Sequence, residues 1–238
     1  MLLTAVFMLS ALCVYGVHSY GQNRYRSDYE KLSGYYADIY YGEGCEAHAA
    51  TTKRLVDTYY PYLAAEFGIA EGLRAEIIIH AGKEEMYGAM GKDYGEKPPM
   101  GAYYKGAIQI LSPECWANSE GALSDQFLAE GPVVHELAHF MLDKITGGNY
   151  EIWFSEGIAL YMEYKYMAYE WQAQLIEDND VSYGEMAQFF SKAQQNIAYG
   201  MAFEKVNQLA DNYGQGVFSD IYKELSKGRS FGEVIKAY

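Results

Sequence analysis

The sequence predicts an α+β fold: a small mixed sheet with one long helix, followed by a helical lobe, with a histidine-bearing helix between them. Three observations carry this. Short apolar or alternating runs bounded by glycine and polar residues, at Gly34–Tyr41, Glu76–His80 and Ala107–Leu111, fall only in the first half of the chain. Helical periodicity takes over from about residue 119 onward. At the junction, the run His135-Glu136-Leu137-Ala138-His139 sits in the apolar segment Val133–Asp143. Strands mixed with a helix and then helices alone is the order of an α+β chain.

Taken in order, residues 1–19 carry no charged side chain, and Leu2–Val17 is apolar but short for a membrane span. With Val17-His18-Ser19 after it, the segment reads as a secretion signal cleaved near Ser19–Tyr20, which predicts a secreted or extracytoplasmic protein. The alternative is a membrane anchor formed by residues 2–17, and contact with a membrane is expected only if this segment stays uncleaved. Cleavage leaves Cys45 and Cys115, either a disulfide or two buried thiols. Residues 20–33 are polar and read as a lead-in, and residues 34–238 as one domain with an α+β lobe (34–131) and a helical lobe (132–238).

Within that domain, Tyr35, Ala37, Ile39 and Tyr41 alternate along a strand at Gly34–Tyr41. Glu46–Phe67 is helical, with Leu55, Val56, Tyr59, Tyr62, Leu63 and Phe67 on one stripe and Pro61 expected to kink or restart it. Glu76–His80 is a short buried strand, Lys83–Met90 a brief helix and Lys92–Pro99 a polar loop. A further strand is expected at Ala107–Leu111, and Ser119–Ala129 leads into the helix of the motif. That helix starts after Pro132, where proline suits a helix start, and stops at Gly147-Gly148. Helices follow at roughly Phe154–Tyr169, Tyr183–Phe190, Ile197–Tyr213 and Gly216–Ser226. A cleft between the two lobes is where a peptide would lie.

Chain-wide numbers exclude some functions. With 238 residues, half of them hydrophobic, the chain can build a substantial core. A formal charge of −14 with no basic stripe speaks against nucleic-acid binding. The 25 tyrosines read as amphipathic packing.

The motif carries chemistry because of helix geometry. Residues at i and i+4 stack on one face, so His135 and His139 can both reach one tetrahedral ion. Glu136 is rotated off that face and lies beside such an ion, placed to take a proton from bound water. Glu156, 17 residues beyond His139, begins the next helix within Trp153-Phe154-Ser155-Glu156-Gly157. Glu163 and Asp143, one or two turns from Glu156 and His139, are candidates for orienting a ligand from behind. His48 and His80 lack partners at ligand spacing and read as structural or surface residues.

On these residues the chain resembles the gluzincin, or thermolysin-like, zinc metallopeptidases, and within them the small "peptidase MA-like" domains. The matching residues are His135-Glu136-Leu137-Ala138-His139 and Trp153-Phe154-Ser155-Glu156-Gly157-Ile158-Ala159. The resemblance makes the segment Val133–Asp143 a zincin active-site helix and implies one Zn2+ held by His135, His139 and Glu156, with Glu136 as general base. It also implies a peptide or protein substrate, bound antiparallel to the strand ahead of that helix, here Gly106–Ile110, so that Gly106, Ala107 and Ile108 would bind substrate. Ala198-Tyr199-Gly200 is similar to the family's oxyanion donor, which makes Tyr199 a catalytic candidate. Related aminopeptidases carry G-x-M-E-N where this chain has Gly101-Ala102-Tyr103-Tyr104-Lys105, and the missing glutamate favours an endopeptidase or a narrow-specificity protease. Two other readings stand beside this one: a catalytically silent zinc-containing surface or binding domain, and a membrane-tethered association module.

Overall fold

A computed structural model describes residues 29–91, 99–117, 123–168 and 181–238. The predicted signal, most of the lead-in and nearly all of the Lys92–Pro99 loop therefore lie outside the described residues. The fold is α+β, as predicted: a five-stranded mixed sheet and a helical C-terminal region.

The strands are β1 (Glu30–Ser33), β2 (Ala37–Tyr41), β3 (Ala75–His80), β4 (Gly101–Tyr104) and β5 (Ala107–Leu111), in the order β1-β2-β3-β5-β4. The three inner strands β2, β3 and β5 run parallel, and antiparallel hairpins add β1 and β4 at the edges. A parallel pair needs a crossover, supplied between β2 and β3 by α1 (Glu46–Phe67). The all-aliphatic middle of β3, Ile77-Ile78-Ile79, is buried on both faces, as a central parallel strand must be.

Both hairpins correct the strand assignments made from sequence. Gly34–Tyr41 is not one strand: the chain reverses at Gly34–Tyr36, where the Gly34 N–H donates to the Ala37 carbonyl at 2.8 Å and Tyr35 stands 72% exposed. The lead-in accordingly ends earlier, because Glu30–Ser33 is an edge strand whose mostly exposed side chains give it no hydrophobic alternation. At the other edge β4 went unseen. Lys105 and Gly106 join it to β5 with φ of 49° and 85°, a two-residue turn of the type I′ family.

Helix α1 runs unbroken through Pro61. Its buried stripe is Ala49, Val56, Tyr60, Leu63 and Phe67, whereas Tyr62, expected inside, is 57% exposed. The Tyr60 phenol donates to the Leu73 carbonyl at 2.6 Å, and burial pushes its pKa up to about 12. The remaining helices are α2 (Lys83–Met90), α3 (Leu123–Glu130), α4 (Val133–Thr146), α5 (Ile152–Met167), α6 (Met186–Lys192), α7 (Gln195–Tyr213), α8 (Gly216–Ser226) and α9 (Phe231–Ile235). Gly147 and Gly148, with φ of 66° and 78°, stop α4 where the sequence placed the break.

The chain forms two compact units, and their boundary differs from the predicted 131/132 division. The first holds the described residues up to Tyr60 with Gly72–Glu136, so it carries the whole sheet, most of α1 and the first turn of α4. The second holds Pro61–Glu71 and Leu137–Tyr238. Its core is aromatic: Phe67 stacks on Tyr222 at 5.2 Å, and Phe231 packs against Trp153 and Phe154 at 5.7 and 5.1 Å. Helices α5 and α7 meet there at Gly157. A methyl on Gly157 would lie 2.4 Å from the Ala202 carbonyl oxygen and 2.6 Å from Val206 Cγ2. Gly157→Ala is therefore expected to destabilise the fold by about 1–3 kcal/mol through overpacking. An unchanged denaturant midpoint would contradict this close approach.

Candidate metal centre

Helix α4 is buried on all sides from Val133 to Leu142, and α5 from Trp153 to Met162. Helices buried all round are normally apolar, and most of these residues are. The exceptions are Ser155 and four side chains that can carry charge: His135 is 0% exposed, Glu136 1%, His139 5% and Glu156 3%. Burying such groups is costly unless they share partners or a metal.

Three of the four converge. One donor atom each from His135, His139 and Glu156 lies within 4.8 Å of the other two, the single such group among the described residues. The His139 Nε2 and Glu156 Oε2 atoms are 3.7 Å apart. That is too long for a hydrogen bond. It is near the separation of about 3.3 Å that bonds of about 2.0–2.1 Å impose on two donors sharing a tetrahedral ion. Two imidazole nitrogens and one carboxylate oxygen are a donor set that fits a divalent transition metal and leaves a fourth position open. The side chains predicted as ligands are thus brought together, with Glu156 one turn into α5 because that helix starts two residues earlier than expected.

The structure adds a residue that sequence reasoning missed. His139 Nδ1 lies 2.7 Å from Ser155 Oγ, both groups buried. If Nδ1–H donates to the hydroxyl, Nε2 keeps its lone pair and points toward Glu156, the tautomer a metal ligand needs. Asp143 and Glu163, the two candidates for that supporting role, are half-buried on the next turns of their helices. The signal for Ser155 was present in Phe154-Ser155-Glu156: the residue beside the converging carboxylate turns toward His139 on the adjacent helix. Ser155→Ala is expected to weaken metal affinity by about 10–100-fold. Competition against a chromophoric chelator measures this, and an unchanged affinity would remove Ser155 from the account.

Tyr199 lies in the second turn of α7, 2% exposed, with its ring 5.5 Å from that of Phe190. It precedes Ala202, the residue that α7 presses against Gly157, by three positions, about 4.5 Å along the helix. Gly157 is the neighbour of Glu156, so Tyr199 sits one turn from the point where α7 meets the ligand-bearing helix.

Gly106, Ala107 and Ile108, expected to bind substrate, do not lie on an outer strand of the sheet. Gly106 is in the hairpin turn, and Ala107 and Ile108 belong to β5, which is hydrogen-bonded to β3 on one side and β4 on the other. An inner strand has already used its main-chain groups. The sheet edge is β4, Gly101–Tyr104, which among the described residues has no neighbour beyond it. It is also the strand beside the general-base candidate, since Gly101 approaches Pro132 and Glu136 directly.

Among the described residues, the other histidines and the cysteines are not part of this cluster. His48 Nε2 is 2.7 Å from Glu114, and His80, its pKa lowered by burial, bonds Gln109 at 2.7 Å and Tyr29 at 3.2 Å. Cys45 and Cys115 are free thiols with pKa values raised by burial, so neither has the thiolate character of a ligand or nucleophile. Among the described residues no helix is long and apolar enough to cross a membrane.

No curated protein and no solved structure matches the chain. A family model does: that of the Peptidase MA superfamily, over residues 123–238, which hold α3 to α9 with His135, Glu136, His139 and Glu156 and leave out the sheet. With a buried pair of histidines and a glutamate on consecutive helices of that region, residues 123–238 are similar to the Peptidase MA superfamily, in keeping with a gluzincin-like metallopeptidase.

Proposed function

We propose that the protein is a zinc-dependent endopeptidase acting outside the cytoplasm. The observation that carries the catalytic part is the burial of His135, His139 and Glu156 around one point, with Glu136 on the adjoining face of the same helix. Two imidazoles and a carboxylate favour zinc over magnesium or calcium, which prefer all-oxygen sites. When bound, the metal supplies a Lewis acid that polarises the scissile carbonyl and lowers the pKa of water to about 7.

The remaining work belongs to side chains and backbone. Glu136 accepts the proton of the attacking water and returns it to the departing amine. Its burial removes competing water and strengthens its interactions with both groups. Tyr199 donates its phenolic hydrogen to the oxygen on which charge develops. The outer edge of β4 pairs with the peptide main chain, so side-chain identity counts for less than an extended conformation. Tyr104 and Lys105 stand where an aminopeptidase would hold the substrate's amino terminus with a carboxylate, which supports internal cleavage. The apolar, uncharged run in residues 1–19 supports export.

The test is incubation of the purified protein with a peptide library, with and without a zinc chelator, followed by mass spectrometry of products. Internal cleavage abolished by chelator and restored by zinc is the expected result. Release of single terminal residues would overturn the endopeptidase assignment, and cleavage indifferent to chelator would overturn the metal chemistry. A mature amino terminus near Tyr20 is the corresponding result for export.

A further inference from the structure

Gly101 has no backbone reason to be glycine. It lies in the regular strand β4, opposite Ile110 of β5, and its φ is outside the left-handed range that glycine alone adopts freely. The reason is space. A Cβ at this position would lie 2.7 and 2.8 Å from Cβ and Cγ of Pro132, and 2.9 Å from Cγ of Glu136. Real Cβ atoms essentially never come within 3.0 Å of such neighbours. The Gly101 α-carbon is thus in contact with the side chain of the candidate base.

We propose that Gly101 is a positioning residue for Glu136, and that the bare α-carbon of the edge strand is the wall against which the base's side chain rests. This rests on the peptidase reading above and deepens it: the strand that would bind the peptide also fixes where the proton acceptor stands. Neither side of the contact can give way easily except at Glu136. Strand β4 is tied to β5 at Gly101–Ile110, and the Leu111 N–H donates to the Met100 carbonyl at 2.9 Å. The start of α4 is held by Pro132, whose carbonyl accepts from the Glu136 N–H at 2.9 Å, and by burial of every residue from Gly131 to Leu142. The Glu136 side chain is the flexible partner, so an added methyl acts on the carboxylate first. None of the three atoms nearest such a methyl belongs to His135, His139 or Glu156, so their arrangement is expected to persist.

The test is Gly101→Ala in the full-length protein, read by cobalt(II) loading, steady-state kinetics and crystallography. The variant is expected to bind one cobalt with the parental absorption spectrum. Its kcat falls by up to about a hundredfold, the cost of misplacing a catalytic group by about an ångström. KM changes little, because the loss is confined to the transition state. Pro132→Gly removes both proline contacts, so the same kcat loss between Pro132→Gly and Pro132→Gly/Gly101→Ala supports the assignment to Glu136. Loss of that difference, or a raised KM with kcat intact, overturns it. A crystal structure of Gly101→Ala decides the matter even if the parent cleaves nothing, a result that would count against the peptidase reading. Glu136 rotated away with α4 in place supports the inference, and Glu136 in place with β4 displaced overturns it.

Discussion

Glu136→Gln will retain its metal and lose peptide cleavage by about a hundred- to ten-thousandfold, the span usual for removing a positioned general base. The amide is nearly the same shape as the carboxylate, so a side chain packed at 1% exposure against Gly101 keeps its place. It cannot accept a proton from the attacking water. Because Glu136 is not among the converging donors, the metal should stay. The paired readouts are metal content and turnover on a cleavable peptide. A glutamine variant as active as its parent would assign the proton transfer elsewhere, and one lacking metal would make Glu136 a ligand.

His139→Ala has the second large effect, and it strikes both functions. The substitution removes one of three donors and leaves the buried Glu156 without the imidazole 3.7 Å away. It also empties the position against which Ser155 makes its 2.7 Å contact. Activity should fall to the level of the chelator-treated parent. Stability should fall as well, by about 2–4 kcal/mol, since a buried carboxylate loses its partner while a cavity opens in a close-packed helix pair. Thermal unfolding in the presence of chelator separates the two contributions, because the parent then lacks the metal's own stabilisation. Equal melting of parent and variant under chelation would show that the imidazole does not support the fold.

What was legible in the sequence follows from what each feature depends on. Helices α1, α2 and α8 stand at their expected bounds because local periodicity and glycine punctuation determine them. The convergence of His135, His139 and Glu156 was legible for the same reason: i and i+4 on a helix is a local geometric fact, as is a carboxylate near the start of the next helix. The edge strands were not. Glu30–Ser33 has no apolar alternation, and β4 is hidden beside a turn of Lys105 and Gly106 that carries no Asn-Gly or Asp-Gly signature. Missing β4 made Ala107–Leu111 look like the outermost strand of the sheet, which it is not. Tyr62 was placed inside because its spacing fits the stripe, but α1 turns that position outward and buries Tyr60 instead. The contacts of Ser155 with His139 and of Gly101 with Glu136 are tertiary, and no spacing rule reaches them.

The central claim is that His135, His139 and Glu156 hold one divalent ion on which hydrolysis depends. Native mass spectrometry of the purified parent counts that ion directly. A mass increment of one zinc per chain, removed by chelator and regained on adding zinc, is the predicted result. A chain that stays metal-free at micromolar zinc, or that retains its ion after His135 and Glu156 are both replaced by alanine, would contradict it.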